Sequence, residues 1–137
     1  MVCLLGAHAA LTAELGARLV AKHGLTLNEY EVLALLARAP GRAMRRVDLA
    51  HQVWLSPSGV TRLLERLAAA GLVGKRNCEE DGRVSYAQLT PAGLAKLERC
   101  APDQAAAAER LLGEQFNEDE LASLVELLGR LSARTAN

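Results

Sequence analysis

From residue 56 the chain reads Ser56-Pro57-Ser58-Gly59-Val60-Thr61-Arg62-Leu63-Leu64-Glu65-Arg66. Short hydroxyls and guanidinium groups in that order suit hydrogen bonding to the polar edges of another molecule, since hydroxyls donate and accept while arginine offers a fixed fork of donors. Bond-making chemistry needs other groupings. His8, His23 and His51 lack metal-ligand spacing, and Cys3, Cys78 and Cys100 form no C-x-x-C pair. The carboxylates of Glu79-Glu80-Asp81 and Glu118-Asp119-Glu120 fall at a turn and a helix start, where solvation and capping account for them. No nucleophile is paired with a base, and no glycine-rich phosphate loop occurs. The expectation is a binding protein, not an enzyme, with no metal site and no cofactor.

The segment must be held by a helix. Val60, Leu63, Leu64 and Leu67 fall at i, i+3, i+4 and i+7 and define one buried stripe. Ser56 is placed to cap the helix, Pro57 at its first position loses no useful donor, and Gly71 ends it. The polar face is left with Ser58, Gly59, Thr61, Arg62, Glu65 and Arg66. Upstream, Val47, Leu49, Ala50 and Val53 predict a short helix. Downstream, residues 72–76 and 83–89 pattern as strands, joined by a polar stretch whose Asp81-Gly82 pair is hairpin-tip chemistry. Two short helices around a tight turn make a helix-turn-helix, and the hairpin makes a wing.

Double-stranded DNA is the partner this arrangement fits. A helix entering the ~12 Å major groove must present short donors and acceptors near its N-terminus. Ser58, Gly59, Thr61 and Arg62 meet that need; Gly59 weakens the helix, which implies close approach of another body. Arg66, one turn on, is placed for the sugar-phosphate backbone, and Lys75 and Arg76 on the first wing strand suit phosphates. Arg83 suits the minor groove, and an ion pair with Asp81 or Glu79 is compatible with that role. Charge agrees: the whole chain is neutral, yet residues 38–90 hold nine basic and five acidic side chains, with acidic flanks on both sides.

The 137 residues fit one domain with helical extensions. Leu and Ala dominate the 50% hydrophobic content, Ile is absent and aromatics are 3%, which predicts a mainly α fold with a small β-hairpin wing. A first helix over residues 2–22 carries Leu4, Leu11, Leu15 and Leu19 and is stopped by Gly24. Thr26 and Glu29 form a capping box with Leu25 and Tyr30 as a hydrophobic staple, opening a helix that runs to residue 38 before Pro40-Gly41. Thr90-Pro91 opens another, with an interruption or kink expected at Pro102, and a last helix begins at Asn117 with Glu120 in its first turn. The cysteine count argues for a reducing compartment, the contiguous apolar runs fall short of the ~20 residues of a membrane span, and residues 1–10 carry no basic leader. A cytoplasmic location without membrane contact is expected.

The run from Leu55 to Leu67, followed by Gly71-Leu72-Val73, resembles the recognition-helix region of the MarR family of bacterial winged helix-turn-helix transcription regulators. Asp81-Gly82-Arg83 with Leu89-Thr90-Pro91-Ala92-Gly93 is similar to that family's wing signature, an Asp-x-Arg tip followed by Leu-Thr. Many relatives carry a second basic residue inside that tip; here Arg83 stands alone.

The resemblance covers roughly residues 25–97 and implies a single 1–137 domain, with 25–97 as the DNA-binding lobe and residues 1–24 and 98–137 as dimerisation helices. It implies a homodimeric regulator, a repressor released by an effector, on a pseudo-palindromic operator. Ser56, Pro57, Ser58, Gly59, Thr61 and Arg62 become the groove-facing set, Arg83 the wing arginine and Asp81 its positioning partner. Small anionic or phenolic effectors are implied in a cleft between dimerisation helices and lobe, with Tyr30 and Trp54 as candidate lining; Trp54 alternatively reads as an anchoring core residue. Another branch of the family senses oxidants through a cysteine near the start of the first helix, where Cys3 stands. A winged-helix protein-interaction module without DNA binding is the reading from a different class, and the steep salt dependence of DNA binding separates the two.

Overall fold

The computed structural model describes residues 1–77 and 84–135. Of the described residues 76% are helical, with a small three-stranded antiparallel sheet. In order, it forms α1 (Val2–His23), α2 (Leu27–Arg38), a 3-10 turn (Pro40–Arg42), β1 (Ala43–Arg45), α3 (Arg46–Gln52), α4 (Pro57–Ala69), β2 (Val73–Asn77), β3 (Ser85–Leu89), α5 (Pro91–Gly113) and α6 (Glu118–Thr135). Two compact units are distinguished, Met1–Pro102 and Asp103–Asn137.

Local capping chemistry sets most boundaries in the first unit. Gly24 takes a left-handed φ of 68° and closes α1 with its N–H on the Val20 carbonyl. At the start of α2, Thr26 Oγ1 accepts from the Glu29 amide (3.3 Å) and Glu29 Oε2 accepts from the Thr26 amide (2.9 Å), the reciprocal box expected there. Ser56 Oγ accepts from the Gly59 amide at 3.1 Å with Pro57 at the first position of α4. Thr90 Oγ1 accepts from the Gly93 amide at 3.0 Å and lies 2.7 Å from the Gly71 carbonyl, so the start of α5 is tied to the end of the α4 segment.

These elements close one core. Leu19 of α1, Val32, Leu33 and Leu36 of α2, Leu49 of α3, Val60, Leu63, Leu64 and Leu67 of α4, Ala87 and Leu89 of β3, and Leu97 and Cys100 of α5 are buried together. The whole predicted stripe of α4 faces inward.

Three features differ from the sequence-based expectation. β1 is a strand the pattern does not announce: its three residues pair with β3 (Ala43 with Gln88, Arg45 with Tyr86), and β3 lies between β1 and β2. α5 continues through Pro102 to Gly113. α1 is also more apolar than its short contiguous runs suggest: an 18-residue window within its 22 residues reaches a mean hydropathy of 1.2, long and apolar enough by composition to cross a membrane. Its only buried residue is Leu19, while Val2, Leu4, Leu5 and Val20 are exposed and Glu14 pairs with Arg18 at 2.8 Å within it.

In the second unit, Asn117 Oδ1 accepts from the Glu120 amide (3.0 Å) and Glu120 Oε2 from the Asn117 amide (2.9 Å), which starts α6 where the sequence predicts. Val125, Leu127 and Leu131 of α6 are exposed.

Candidate nucleic-acid interface

With its leucines inward, α4 turns a polar line of side chains directly away from the core. Ser58, Arg62 and Glu65 are exposed and fall at i, i+4 and i+7, opposite the buried stripe. Arg62 makes no ion pair among the described residues, so its guanidinium is available to an outside acceptor. The N-terminus of α4 lies at the same end, where the helix dipole favours negative charge. Ser58 Oγ is 3.1 Å from Ser56 Oγ, which makes Ser56 a cap that steadies Ser58.

Two members of the expected groove-facing set have their polar or steric character used inside the protein. Thr61 is half-buried, and its hydroxyl donates to the Pro57 carbonyl at 3.0 Å; it lines a cleft of about 250 Å³ shared with Arg46, Leu64, Lys75, Ser85 and Tyr86. Gly59 has an internal reason to be glycine, since an added Cβ would sit 3.2 Å from Ser56 Oγ and 3.6 Å from Leu55 Cβ.

Arg66 is engaged by a residue that sequence reasoning did not connect to it. Its Nε donates to Glu29 Oε1 at 2.9 Å, and Glu29 is 7% exposed. The pair spans 37 positions, and no local signal announces it.

Strand alternation divides the basic residues of the hairpin. Arg76 pairs in register with Tyr86 and its guanidinium lies 5.2 Å from that ring's centroid, a cation–π contact. Lys75 pairs with Ala87 on the opposite face, the face turned to α4, and is exposed without an ion pair among the described residues. Lys75 and Arg76 therefore leave the strand on opposite faces. Arg45 is held by Asp48 through two hydrogen bonds of 2.8 and 3.1 Å, which raise its basicity further. The expected wing arginine Arg83, its partner Asp81 and the wing thiol Cys78 lie outside the described residues.

Trp54 departs from the expectation of a core anchor: it is 77% exposed, with a positive φ of 55°. Its neighbours Val53 and Leu55 point into the core and leave the indole outside. Tyr30 is half-buried against the core, and burial, with a smaller push from the Cys100 thiol and opposition from Arg38, raises its phenol above the ordinary range. Trp54 and Tyr30 thus differ sharply in environment. Cys3 is exposed on α1. Among the described residues no group of three or more His, Cys, Asp or Glu side chains is gathered to hold a metal ion.

Comparison with known proteins places this geometry in context. A model of the MarR family matches residues 23–84. The HTH-type transcriptional repressor YetL of Bacillus subtilis is 30% identical over 114 residues, covering 83% of this chain and 68% of YetL. Among solved structures, Sco3205 of Streptomyces coelicolor, a MarR family transcriptional regulator crystallised with DNA, superposes with a TM-score of 0.87 at 26% identity, over 95% of this chain and 81% of its own. AbsC, a MarR family transcriptional regulator from the same organism, superposes with a TM-score of 0.81 at 30% identity, over 96% of this chain and 91% of its own. The cap, stripe and hairpin of the helix-turn-helix, together with these relatives, make this chain a member of the MarR family of transcriptional regulators.

Proposed function

We propose that this protein is a homodimeric repressor that binds a pseudo-palindromic DNA operator through α4 of each subunit. The observation that carries this reading is the outward line of Ser58, Arg62 and Glu65 opposite a fully inward leucine stripe, with Arg62 unpaired among the described residues. Small polar groups at the helix start fit the groove, and Arg62 is placed for a guanine edge or a phosphate. Lys75 on the α4-facing side of the hairpin, and Arg66 steadied by Glu29, supply backbone contacts. Arg83, positioned by Asp81, is assigned to the minor groove.

Residues 25–97 form the DNA-binding lobe in this reading, and residues 1–24 and 98–137 form the dimerisation helices. The exposed apolar side chains of α1 and α6 support a second copy as their cover. The Glu14–Arg18 pair within α1 disfavours a bilayer as the alternative cover, and the regulator reading supports a cytoplasmic location. Two-fold symmetry sets the half-sites about 34–36 Å apart. Release by a small anionic or phenolic effector is part of this reading, with Tyr30, half-buried against the core, as its candidate contact.

The experiment is selection of bound duplexes from a random pool, followed by titration of the selected duplex at rising salt. The expected result is a two-fold symmetric consensus and a steep linear fall of log affinity with log salt, with a slope of about −0.9 per phosphate neutralised. No enrichment, or no retention at low salt, overturns the reading in favour of a winged-helix protein-interaction module.

A further inference from the structure

Trp54 is the only tryptophan of the chain. It sits in the turn between α3 and α4, two residues before the Ser56 cap, with 77% of its surface exposed and a left-handed φ of 55°. Both features are unfavourable in the isolated protein. A bulky side chain is strained in the left-handed region, and the largest apolar side chain is left in water. The strain is sustained from both sides: Val53 is 6% exposed and its amide closes α3 on the Leu49 carbonyl at 2.9 Å, while Leu55 packs against the core just before α4 is capped. The indole is thereby held out on a firm turn, at the end of the lobe from which α4 presents Ser58 and Arg62.

We propose that Trp54 is a DNA-contacting residue that docks on the sugar-phosphate backbone beside the groove entered by α4. Its ring offers a flat apolar face to deoxyribose, and its Nε1–H is a donor with no acceptor function, suited to a phosphate oxygen. Neither contact reads a base, so Trp54 contributes affinity and register without sequence preference. The inference rests on the proposed DNA-binding reading and commits to duplex DNA as the occupant because the turn is continuous in sequence with the outward line of α4.

The single tryptophan is its own probe. Wild-type protein is titrated with the pool-selected duplex and with a scrambled duplex, following tryptophan emission and the anisotropy of end-labelled DNA together. The emission is expected to change and saturate at the same midpoint as the anisotropy. Trp54→Gly suits the positive φ and removes nothing from the core, so its thermal midpoint is expected to stay at or above that of the wild type. Its affinity is expected to fall about five- to tenfold for both duplexes alike, with Trp54→Phe intermediate. Wild-type retention of DNA with unchanged emission, and Trp54→Gly binding within about twofold of it, overturns the inference and leaves the DNA-binding reading standing. Failure of the wild type to bind either duplex overturns that reading instead. An emission change that follows protein dilution and not DNA assigns the indole to a second copy of the chain and overturns the inference as well.

Discussion

Arg66 on α4 and Glu29 on α2 are joined at 2.9 Å, Nε to Oε1, while the other oxygen of the same carboxylate accepts the Thr26 amide at 2.9 Å. One buried carboxylate therefore closes the first turn of α2 and restrains the outer edge of α4. The guanidinium remains more than half exposed, so the ion pair by itself contributes little stability in water. Its consequence is orientation: Arg66 is held in one place while Arg62, one turn earlier, is left unpaired among the described residues.

Glu29→Ala is expected to destabilise the protein by about 2 kcal/mol, because it removes half of a capping box and a partly buried acceptor together. Urea unfolding followed by circular dichroism measures this. Arg66→Ala is expected to lower stability by no more than about 1 kcal/mol and to weaken every duplex to a similar degree. A selective loss for one sequence would assign Arg66 to the bases.

Arg62→Ala is expected to lower affinity by about 1–3 kcal/mol and relax preference at one position of each half-site. Thr61→Val should change affinity by less than about threefold, because its hydroxyl already donates to the Pro57 carbonyl. Competition binding over a panel of single-base operator variants separates the two, and equal effects would contradict the orientation of α4 described above.

The hairpin predicts a division between adjacent cations. Lys75→Ala should reduce the slope of log affinity against log salt by about 1 per contact removed, with little effect on folding. Arg76→Ala should instead lower stability by about 0.5–1 kcal/mol through loss of the Tyr86 contact. Salt titrations paired with thermal melts distinguish the two variants, and a swap of these effects would refute the assignment of faces.

Gly93 is packed where no side chain fits. A Cβ there would collide with the Leu72 carbonyl and approach Leu89 Cδ1 to 2.7 Å, at the junction where Thr90 ties α5 to the end of the α4 segment. Gly93→Ala is expected to cost about 3 kcal/mol in urea unfolding. Gly113→Ala, with open space at its Cβ, is the control and should be tolerated.

Leu5→Glu on α1 and Val125→Glu on α6 each place a charge on an exposed apolar surface. If a second copy covers these surfaces, both variants shift sedimentation toward the monomer and weaken operator binding. Sedimentation unchanged from wild type at micromolar protein would remove these faces from the dimer interface.

Helix starts and the inward face of α4 were legible in the linear chain because they depend on neighbours. The hydroxyl of Ser56 needs an amide three residues on, the Thr26–Glu29 box closes within one turn, and a leucine stripe at helical spacing fixes which side goes inward. Distant partners decided the rest. β1 is only three residues long and exists because β3 supplies its ladder, and Arg66 is oriented by a carboxylate from another helix. Hydrophobicity alone sends Trp54 into the core, but Val53 and Leu55 take the inward positions and a left-handed turn leaves the indole in water. The contacts that settle these features join residues far apart in the chain, so local periodicity and turn chemistry carry no record of them.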